Sequence, residues 1–536
     1  MRTERPIDSL TTFFNTPDAM QWLTRGLPIL FAILAAWFAI RQNVLSNTRK
    51  PVPPGPHSTL MRLLAIGMLA IFGYQASWQL AGFRNAEFVA FMTRYSRRTA
   101  NPREGLHRGR ILDRNMLIMA ESKPKEGRPR FYPFAPAACH IVGYVHPKYG
   151  TVGIERANEA HLTGRSGSDV KHLRRFGQNM LRHGMVLGND TVLTLDARLQ
   201  VEAARLLSGQ RGAAVAIDPR TGAIRLLASA PYFNQNQIGS AMTDPASPML
   251  NRALNGLYPP GSTFKLFLAA AAIQAGKTGG IDCPAEGYSP GPGLPPIRDH
   301  EYYENEREGR HWRGHGMIDL STALIKSSNV YFARLGPLLG AQSMTEMLNR
   351  FELTKSHTLF TGSDGSLTAK ASRLPTLTGA PTRVLTQTAI GQGEVLVTPF
   401  QMARAVAVIA AGGQQFKPHI DAETSPELLG APLTPTTAKT LRALMVKVVT
   451  QGTGRGMMAS GVSAGGKTGT AQNPAGDDHS WFVCFAPAEN PAIAIAVVVE
   501  HGGYGSRSAV PIAAALVQAA DQYGLLDPLP ASRSQK

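Results

Sequence analysis

Three short motifs, far apart in the chain, constrain the fold because they can work only if the chain brings them together. They are Ser262-Thr263-Phe264-Lys265, Ser327-Ser328-Asn329 and Lys467-Thr468-Gly469-Thr470, in that order. Each motif supplies one edge of a site for acyl transfer to a serine, so the set is far more specific than any one member. The sequence therefore predicts that three distant segments surround one site.

Local context separates the Ser262 motif from other matches. Ser-x-x-Lys also occurs at Ser122–Lys125 and Ser168–Lys171, and a second Lys-Thr-Gly begins at Lys277. Only the Ser262 motif follows the turn residues Pro259-Pro260-Gly261 and continues as an apolar, Ala-rich run, which is typical of a buried helix. A serine and a lysine three residues apart on a helix share one face, so a hydroxyl would lie beside an amine.

Length and cysteine content are consistent with two domains that need no covalent cross-links. A chain of 536 residues can bury a sizeable core in each of two domains. Cys139, Cys283 and Cys484 are an odd number of cysteines, so they allow at most one disulfide. Cys484 lies in an apolar, strand-like segment and is predicted to be an ordinary core residue.

Two apolar segments near the N-terminus predict attachment to a membrane. Leu63–Phe83 contains 21 residues without a formal charge, enough for a helix to cross about 30 Å of hydrocarbon. Gly26–Ile40 has only 15 uncharged residues and is a short second span, a packed interfacial helix or a signal-like stretch. The connector Arg41–Arg62 is basic and carries no acids, which places it in the cytoplasm and everything after Phe83 outside.

The region that follows the apolar segments is strongly basic. Phe83–Asn189 holds 19 Lys and Arg against 8 Asp and Glu, so it carries +11 of the net +18 of the chain. Such a region next to a membrane favours anionic headgroups, pyrophosphate-linked lipid precursors or an acidic partner, although a solvated basic face would look the same. Nucleic acid is disfavoured as a partner, because the region is predicted to be extracytoplasmic and lacks an interleaved aromatic motif.

Beyond Asn189 the pattern predicts an α+β fold in which an antiparallel sheet is flanked by helices. Two strand pairs are predicted, Ala213–Ile217 with Ala223–Ser229 and Trp481–Phe485 with Ala492–Val499. Helices are predicted at Leu199–Leu207, Leu266–Gln274, Leu320–Gly336 and Pro399–Ala411. The polar, Pro/Gly-rich stretch Gly287–Gly316 is predicted to be a long loop near the mouth of the site.

The order and context of these segments resemble a class B penicillin-binding protein, the peptidoglycan D,D-transpeptidase family. Further matches lie at Arg108–Asn115, Gly153-Ile154-Glu155, Leu162-Thr163-Gly164, Thr191–Asp196, Gly391-Gln392-Gly393 and His479-Ser480-Trp481-Phe482. The resemblance implies a membrane region at 1–83, an elongated basic pedestal (84–189, similar to a dimerisation domain), a transpeptidase domain (190–526) and a tail (527–536). It also implies a location at the bacterial inner (cytoplasmic) membrane, with the catalytic domain outside.

Nucleophile activation can be argued from the residues themselves. A serine needs a base within hydrogen-bond reach, and Lys265 is best placed if it is neutral. Burial and a neighbouring cation would both lower the pKa of Lys265, and Lys467 is predicted to be that cation. Ser262 and Lys265 are thus expected to be the nucleophile and the base.

The resemblance assigns roles to the other motif residues. It implies that Ser327 carries a proton to the leaving amine and that Asn329 orients a substrate amide. Lys467, with the hydroxyls of Thr468 and Thr470, lies where the family recognises a terminal carboxylate. The backbone N–H groups of Ser262 and Thr470 would form the oxyanion hole, and such donors contribute about 3–4 kcal/mol each. Gly469 would let its strand approach the ligand closely.

No cofactor and no metal site is expected. A zinc site is conceivable in the loop that contains Cys283, Asp299, His300, His311 and His315, but Gly314 and Gly316 argue against a helix between the last two histidines. No pair of acidic residues before Asn189 suits glycosyl transfer. The resemblance therefore implies that a SEDS-type membrane glycosyltransferase acts as partner.

The expected function is a peptidoglycan D,D-transpeptidase that cross-links stem peptides through a serine acyl-enzyme and is a target of β-lactams. The alternatives are a serine β-lactamase or D,D-carboxypeptidase, a penicillin sensor, and a non-catalytic cell-wall scaffold. Asn329 and the long pedestal argue against a class D-like β-lactamase. The chain before Leu63 is too short for an output domain, and a scaffold would not need an intact set of motifs. A role in elongation, division or sporulation is not distinguished by the motifs.

Overall fold

The computed structural model describes residues 106–123, 128–165, 186–473 and 476–528, with six helical positions between 60 and 72. The chain forms two compact units, residues 1–95 and 96–536. The predicted segment Gly26–Ile40 lies outside the described residues, as do positions 529–536 of the tail. Five positions of Leu63–Phe83 are described, and all are helical. Among the residues that are described, no helix combines the length and apolar character needed to cross a bilayer.

Strands and helices alternate through the second unit. The strands of the described ranges are β1 (Leu106–His107), β2 (Ile111–Leu112), β3 (Ile118–Lys123), β4 (Arg128–Phe131), β5 (Val145–His146), β6 (Gly150–Thr151), β7 (Val186–Leu187), β8 (Thr191–Val192), β9 (Gly212–Ile217), β10 (Ile224–Ala230), β11 (Ile281–Cys283), β12 (Gly316–Ile318), β13 (His357–Thr361), β14 (Ser366–Ala369), β15 (Gln415–Phe416), β16 (Leu428–Gly430), β17 (Gly465–Ala471), β18 (His479–Ala486) and β19 (Ile493–Val499).

The helices of the same ranges are α1 (Cys139–Val142), α2 (Gly153–Ala157), α3 (Glu159–Leu162), α4 (Ala197–Leu206), α5 (Arg252–Asn255), α6 (Lys265–Gln274), α7 (His300–Arg307), α8 (Leu320–Lys326), α9 (Asn329–Arg350), α10 (Thr382–Ala389), α11 (Pro399–Ala410), α12 (Pro435–Gln451) and α13 (Ala509–Gln522). Short 3₁₀ turns occupy Gly239–Met242, Gly261–Phe264 and Arg455–Ser460. The fold is mixed α+β, as predicted.

A five-stranded antiparallel sheet with the order β10-β9-β19-β18-β17 forms the centre of the larger domain. The two predicted strand pairs are confirmed as β9 with β10 and β18 with β19. Alternate residues of a strand point to opposite faces of the sheet, and here each face packs against its own core. Ala494, Ala496 and Val498 join a core that contains α6, α9 and α11. Ile495 and Val497 join a second core beneath α4 and α13.

A four-stranded sheet with the order β4-β3-β2-β8 lies in the preceding region. One carboxylate and two guanidinium groups form a buried network beside this sheet. Glu155 is fully buried and accepts hydrogen bonds from Arg108 and Arg130. Burial opposes the ionisation of Glu155, but the two guanidinium groups outweigh it and lower the pKa of this carboxyl. Part of the basic excess therefore stabilises the fold rather than forming a free surface.

Two predicted elements differ from the structure near the site. The single helix predicted at Leu320–Gly336 is two helices, α8 and α9, separated at Ser327, whose φ of 60° and ψ of 34° are left-handed. Ser328 caps α9 by accepting a hydrogen bond from the Tyr331 N–H. The loop predicted at Gly287–Gly316 contains α7. Long-range contacts, described below, decide both differences.

Candidate active site

Ser262 lies in the 3₁₀ turn that leads into α6. The Gly261 N–H donates to Gly391 O at 3.0 Å, and Trp481 Nε1 donates to Pro259 O at 3.0 Å. These bonds fix the turn against the central sheet and the Gly391 segment. Ser262 is half-buried, and within the described residues its Oγ forms no hydrogen bond. The hydroxyl is thus held in place by its backbone and remains free to react.

Strand β17 runs next to this turn, and Gly469 allows the close approach. A Cβ added at Gly469 would lie 2.9 Å from both Pro260 O and Thr263 Cγ2, closer than ordinary contacts permit. The sequence predicted a close approach of this strand to a ligand. The structure shows that the strand approaches the nucleophile turn itself.

Lys265 is fully buried and faces the Ser327 motif. Its Nζ donates to Ser327 O at 2.6 Å and to Asn329 Oδ1 at 2.8 Å. Burial lowers the pKa of Lys265 to about 7, although the carboxylates of Asp299 and Glu301 act in the opposite direction. A large fraction of this amine is therefore neutral near neutral pH, as a general base requires.

Lys467 reaches the same motif from the sheet side. Its Nζ donates to Ser327 Oγ at 2.8 Å and to Thr468 O at 2.9 Å. Burial, and secondarily the charge of Lys265, lowers the pKa of Lys467 well below its ordinary value. The sequence predicted Lys467 as the cation of the pair. The carboxylates of Asp299 and Glu301 favour a proton on Lys265, and the role of Lys467 as the cation stays a prediction.

The side chain of Asn329 is occupied on both sides. Its Oδ1 accepts from Lys265, and its Nδ2 donates to Arg298 O at 3.1 Å. The amide expected to orient a substrate thus holds Lys265 in the free site. The second N–H of Nδ2 and the second lone pair of Oδ1 leave capacity for a direct contact with substrate.

The two threonine hydroxyls of β17 differ in their surroundings. Thr468 Oγ1 lies 2.6 Å from Thr453 Oγ1, whereas Thr470 Oγ1 accepts from the Gly505 N–H at 3.4 Å. Within the described residues the Thr470 hydroxyl donates no hydrogen bond, so its hydrogen is available to an anion. Thr468 is buried and Thr470 is half-buried.

Sequence reasoning missed the role of Asp299 in organising the site. This carboxylate is buried and accepts hydrogen bonds from Ser328 Oγ at 3.0 Å, Val330 N at 3.1 Å and Asn329 N. The sequence suggested only that Asp299 could be one of five zinc ligands. No local signal links Asp299 to a helix that begins 30 residues later.

The zinc hypothesis finds no support in the part of the chain that the structure describes. No three His, Cys, Asp or Glu side chains there are arranged to hold a metal ion. His300 Nε2 pairs with Glu304, and His315 Nε2 lies 3.7 Å from Asp299 and 3.5 Å from Glu301.

The alternative motifs lie elsewhere or cannot be placed. Lys277 follows α6, and its Nζ donates to Leu338 O, away from the three motifs. The match at Ser168–Lys171 lies outside the described residues, as does Lys125 of the match at Ser122. Counted with these three alternatives, the Ser262 motif is the only one that the described residues place beside Ser327 and Lys467.

Comparison with known families agrees with this geometry. The family described as penicillin binding protein transpeptidase domain matches residues 212–518. The family described as penicillin binding protein A dimerisation domain matches residues 108–182. The first match alone covers more than half of the chain.

Individual relatives and solved structures point the same way. Peptidoglycan D,D-transpeptidase MrdA of Acinetobacter baumannii is 32% identical over 71% of this chain, which spans 64% of that relative. Peptidoglycan D,D-transpeptidase PbpA of Mycolicibacterium smegmatis is 31% identical over 78% of this chain and 89% of its own length. The penicillin G acyl-enzyme complex of penicillin-binding protein A from M. tuberculosis aligns with a TM-score of 0.68 and 28% identity, over 78% of this chain and all of that one. With the three motifs meeting at Ser327, these matches show that the chain belongs to the class B penicillin-binding proteins.

Proposed function

We propose that this protein is a peptidoglycan D,D-transpeptidase that joins stem peptides through an acyl-enzyme on Ser262. The observation that carries the proposal is the convergence of two buried lysines on Ser327 beside the Ser262 turn. Relatives that share the family are named peptidoglycan D,D-transpeptidases, and a related structure is a penicillin G acyl-enzyme. The protein is accordingly a target of β-lactams.

Acylation begins when a substrate carboxylate enters beside Lys467, Thr468 and Thr470. Its negative charge favours a proton on Lys467, because an opposite charge nearby stabilises the charged form. A charged Lys467 then favours the neutral form of Lys265, because two positive charges in one buried site repel each other. Neutral Lys265 takes the proton of Ser262 Oγ as the oxygen attacks the acyl carbon.

The remaining roles follow from the positions of the motif residues. The backbone N–H groups of Ser262 and Thr470 stabilise the oxyanion, a contribution of about 3–4 kcal/mol for each donor. Ser327 Oγ passes its proton to the leaving amine and takes a proton from Lys467 Nζ, which is hydrogen-bonded to it. Asn329 keeps Lys265 in register through the 2.8 Å bond to its side chain.

We expect transfer to an amine rather than hydrolysis, because within the described residues the motifs supply no base for water beyond Lys265 and Lys467. Asp299, buried beside the Ser327 motif, already accepts three hydrogen bonds. A hydrolase needs a base that activates water, whereas a transpeptidase waits for the acceptor amine.

The cellular setting follows from the N-terminal sequence. We place Leu63–Phe83 across the bacterial inner membrane as the anchor, with Gly26–Ile40 as a second span and the catalytic domain outside. The pedestal at 84–189 and the transpeptidase domain at 190–526 then stand above the membrane. A SEDS-type glycosyltransferase supplies the glycan strands. A reporter fused after Thr16 tests the second span: an external signal supports two spans, and a cytoplasmic one leaves a single anchor.

Intact-mass analysis of the full-length protein with penicillin G tests the catalytic proposal. Wild type should gain one penicillin mass at Ser262 and keep it for many minutes. Ser262→Ala should gain none, while Ser321→Ala, a hydroxyl on α8 outside the motifs, should behave like wild type. Rapid release of the adduct would indicate a β-lactamase, and labelling of Ser262→Ala would show that another residue is the nucleophile.

A further inference from the structure

Asp299 has no part in the mechanism above, yet its carboxylate is buried against the active site. Its Oδ1 accepts from the backbone N–H groups of Asn329 and Val330, the first two residues of α9. Its Oδ2 accepts from Ser328 Oγ. Asp299 immediately precedes α7, but its side chain accepts no capping hydrogen bond from that helix. Its hydrogen bonds go to Ser328, Asn329 and Val330, and His315 Nε2 lies 3.7 Å from its Oδ2.

These bonds connect Asp299 to Lys265 in one further step. The backbone N–H of Asn329 donates to Asp299, and the side-chain Oδ1 of Asn329 accepts from Lys265 Nζ at 2.8 Å. The left-handed Ser327, whose carbonyl is the other acceptor of Lys265, directly precedes this fixed segment. A carboxylate at the start of α9 also stabilises the helix, because the free N–H groups carry positive partial charge.

The charges around Lys265 fall into two groups. On the acidic side are Asp299 and Glu301, and both favour a proton on Lys265. Glu301 is partly compensated by His315, whose pKa it raises. On the sheet side stands Lys467, which competes for the same proton. Asp299 is thus a buried acid near Lys265 whose hydrogen-bond partners are the neutral groups of the Ser327 motif.

We propose that Asp299 is a positioning residue for the acyl-transfer reaction: its hydrogen bonds fix residues 328–330, through which Asn329 holds Lys265, and its negative charge favours the protonated form of that amine. This inference rests on the proposed function. The two halves of the role are separable, because asparagine retains an acceptor for the two N–H groups but carries no charge.

The experiment measures the rate constant for acylation by a fluorescent penicillin as a function of pH. In Asp299→Asn the acidic limb of this pH–rate curve, where the rate rises with pH, should move about one pH unit lower, because loss of a nearby carboxylate lowers the pKa of an amine. At about pH 6 the variant should then acylate several-fold faster than wild type. A merely structural residue would not produce a gain. Asp319→Asn, which removes the capping carboxylate of α8, is the matched control and should leave the limb unmoved.

Asp299→Leu tests the positional half, since it offers no acceptor. Its rate should fall about a hundred-fold at every pH, because small displacements of catalytic groups are costly. Thermal unfolding identifies loss of fold; if Asp299→Leu is unfolded, Asp299→Asn alone decides. An unshifted limb in Asp299→Asn would overturn the inference while leaving the proposed function intact. Failure of wild type to be acylated would overturn the proposed function itself.

Discussion

Lys467 Nζ lies 2.8 Å from Ser327 Oγ, and this bond joins the edge strand of the central sheet to the turn between α8 and α9. The same serine offers its carbonyl to Lys265. One residue in a left-handed conformation therefore contacts both lysines. Ser327 is the meeting point of all three motifs, so its geometry decides whether they act together.

Ser327→Ala should slow acylation by roughly two orders of magnitude, because it removes the hydroxyl that links Lys467 to the reacting groups. The carbonyl contact with Lys265 remains. Penicillin labelling followed over time measures the effect. Ser327→Gly should be as slow but more stable than Ser327→Ala, since glycine adopts a positive φ without strain. Equal rates in wild type and both variants would remove Ser327 from the mechanism.

Gly469→Ala should separate β17 from the nucleophile turn. The added Cβ would meet Pro260 O and Thr263 Cγ2 at 2.9 Å, so the strand or the turn must move. We expect a loss of about 1–3 kcal/mol in the free energy of unfolding and a fall in acylation of about a hundred-fold. Gly239→Ala is the control, because its Cβ would meet only Tyr149 Oη, at 3.9 Å. Normal acylation by Gly469→Ala would contradict a shared, tightly packed site.

The acylation rate should rise with pH and level off near the pKa of Lys265. Burial lowers that pKa to about 7, and only the neutral amine accepts a proton from Ser262. Below this pH the rate should fall about ten-fold for each unit, since the neutral fraction does so. Rate constants measured from about pH 5 to about pH 9 locate the limb. A limb near the ordinary lysine value would show that Lys265 is not the base.

Arg108→Met should destabilise the domain far more than Arg110→Met. Arg108 is mostly buried and pairs with the fully buried Glu155, so its removal leaves that carboxylate with the guanidinium of Arg130 and a long bond from the Tyr132 hydroxyl. We expect a cost of about 3 kcal/mol. Arg110 pairs with Asp190 at the surface, where such pairs contribute at most about 1 kcal/mol. Denaturant unfolding compares the two variants. Similar stabilities would mean that the buried network adds little.

The sequence by itself predicted the elements that depend on local patterns. Turn residues followed by an Ala-rich apolar run predicted the start of α6 at the nucleophile, and apolar runs around Pro-containing turns predicted β9 with β10 and β18 with β19. The order of the three motifs predicted that Ser262, Ser327 and Lys467 share one site. The helix and strand signals each lie within about twenty residues, where periodicity and turn chemistry determine the backbone.

Tertiary structure alone decided how the motif residues are used. The apolar pattern of Leu320–Gly336 predicts one helix, because the hydrogen-bond partners that stabilise the break at Ser327 are distant in sequence. Asp299 lies about 30 residues before α9, and Lys467 lies 140 residues after Ser327. The effect of Asp299 and Glu301 on the pKa of Lys265 could not be predicted for the same reason, since the pKa of a buried lysine depends on which carboxylates the fold places nearby. Local sequence determines segments; the charge state of the site depends on contacts that only the folded chain creates.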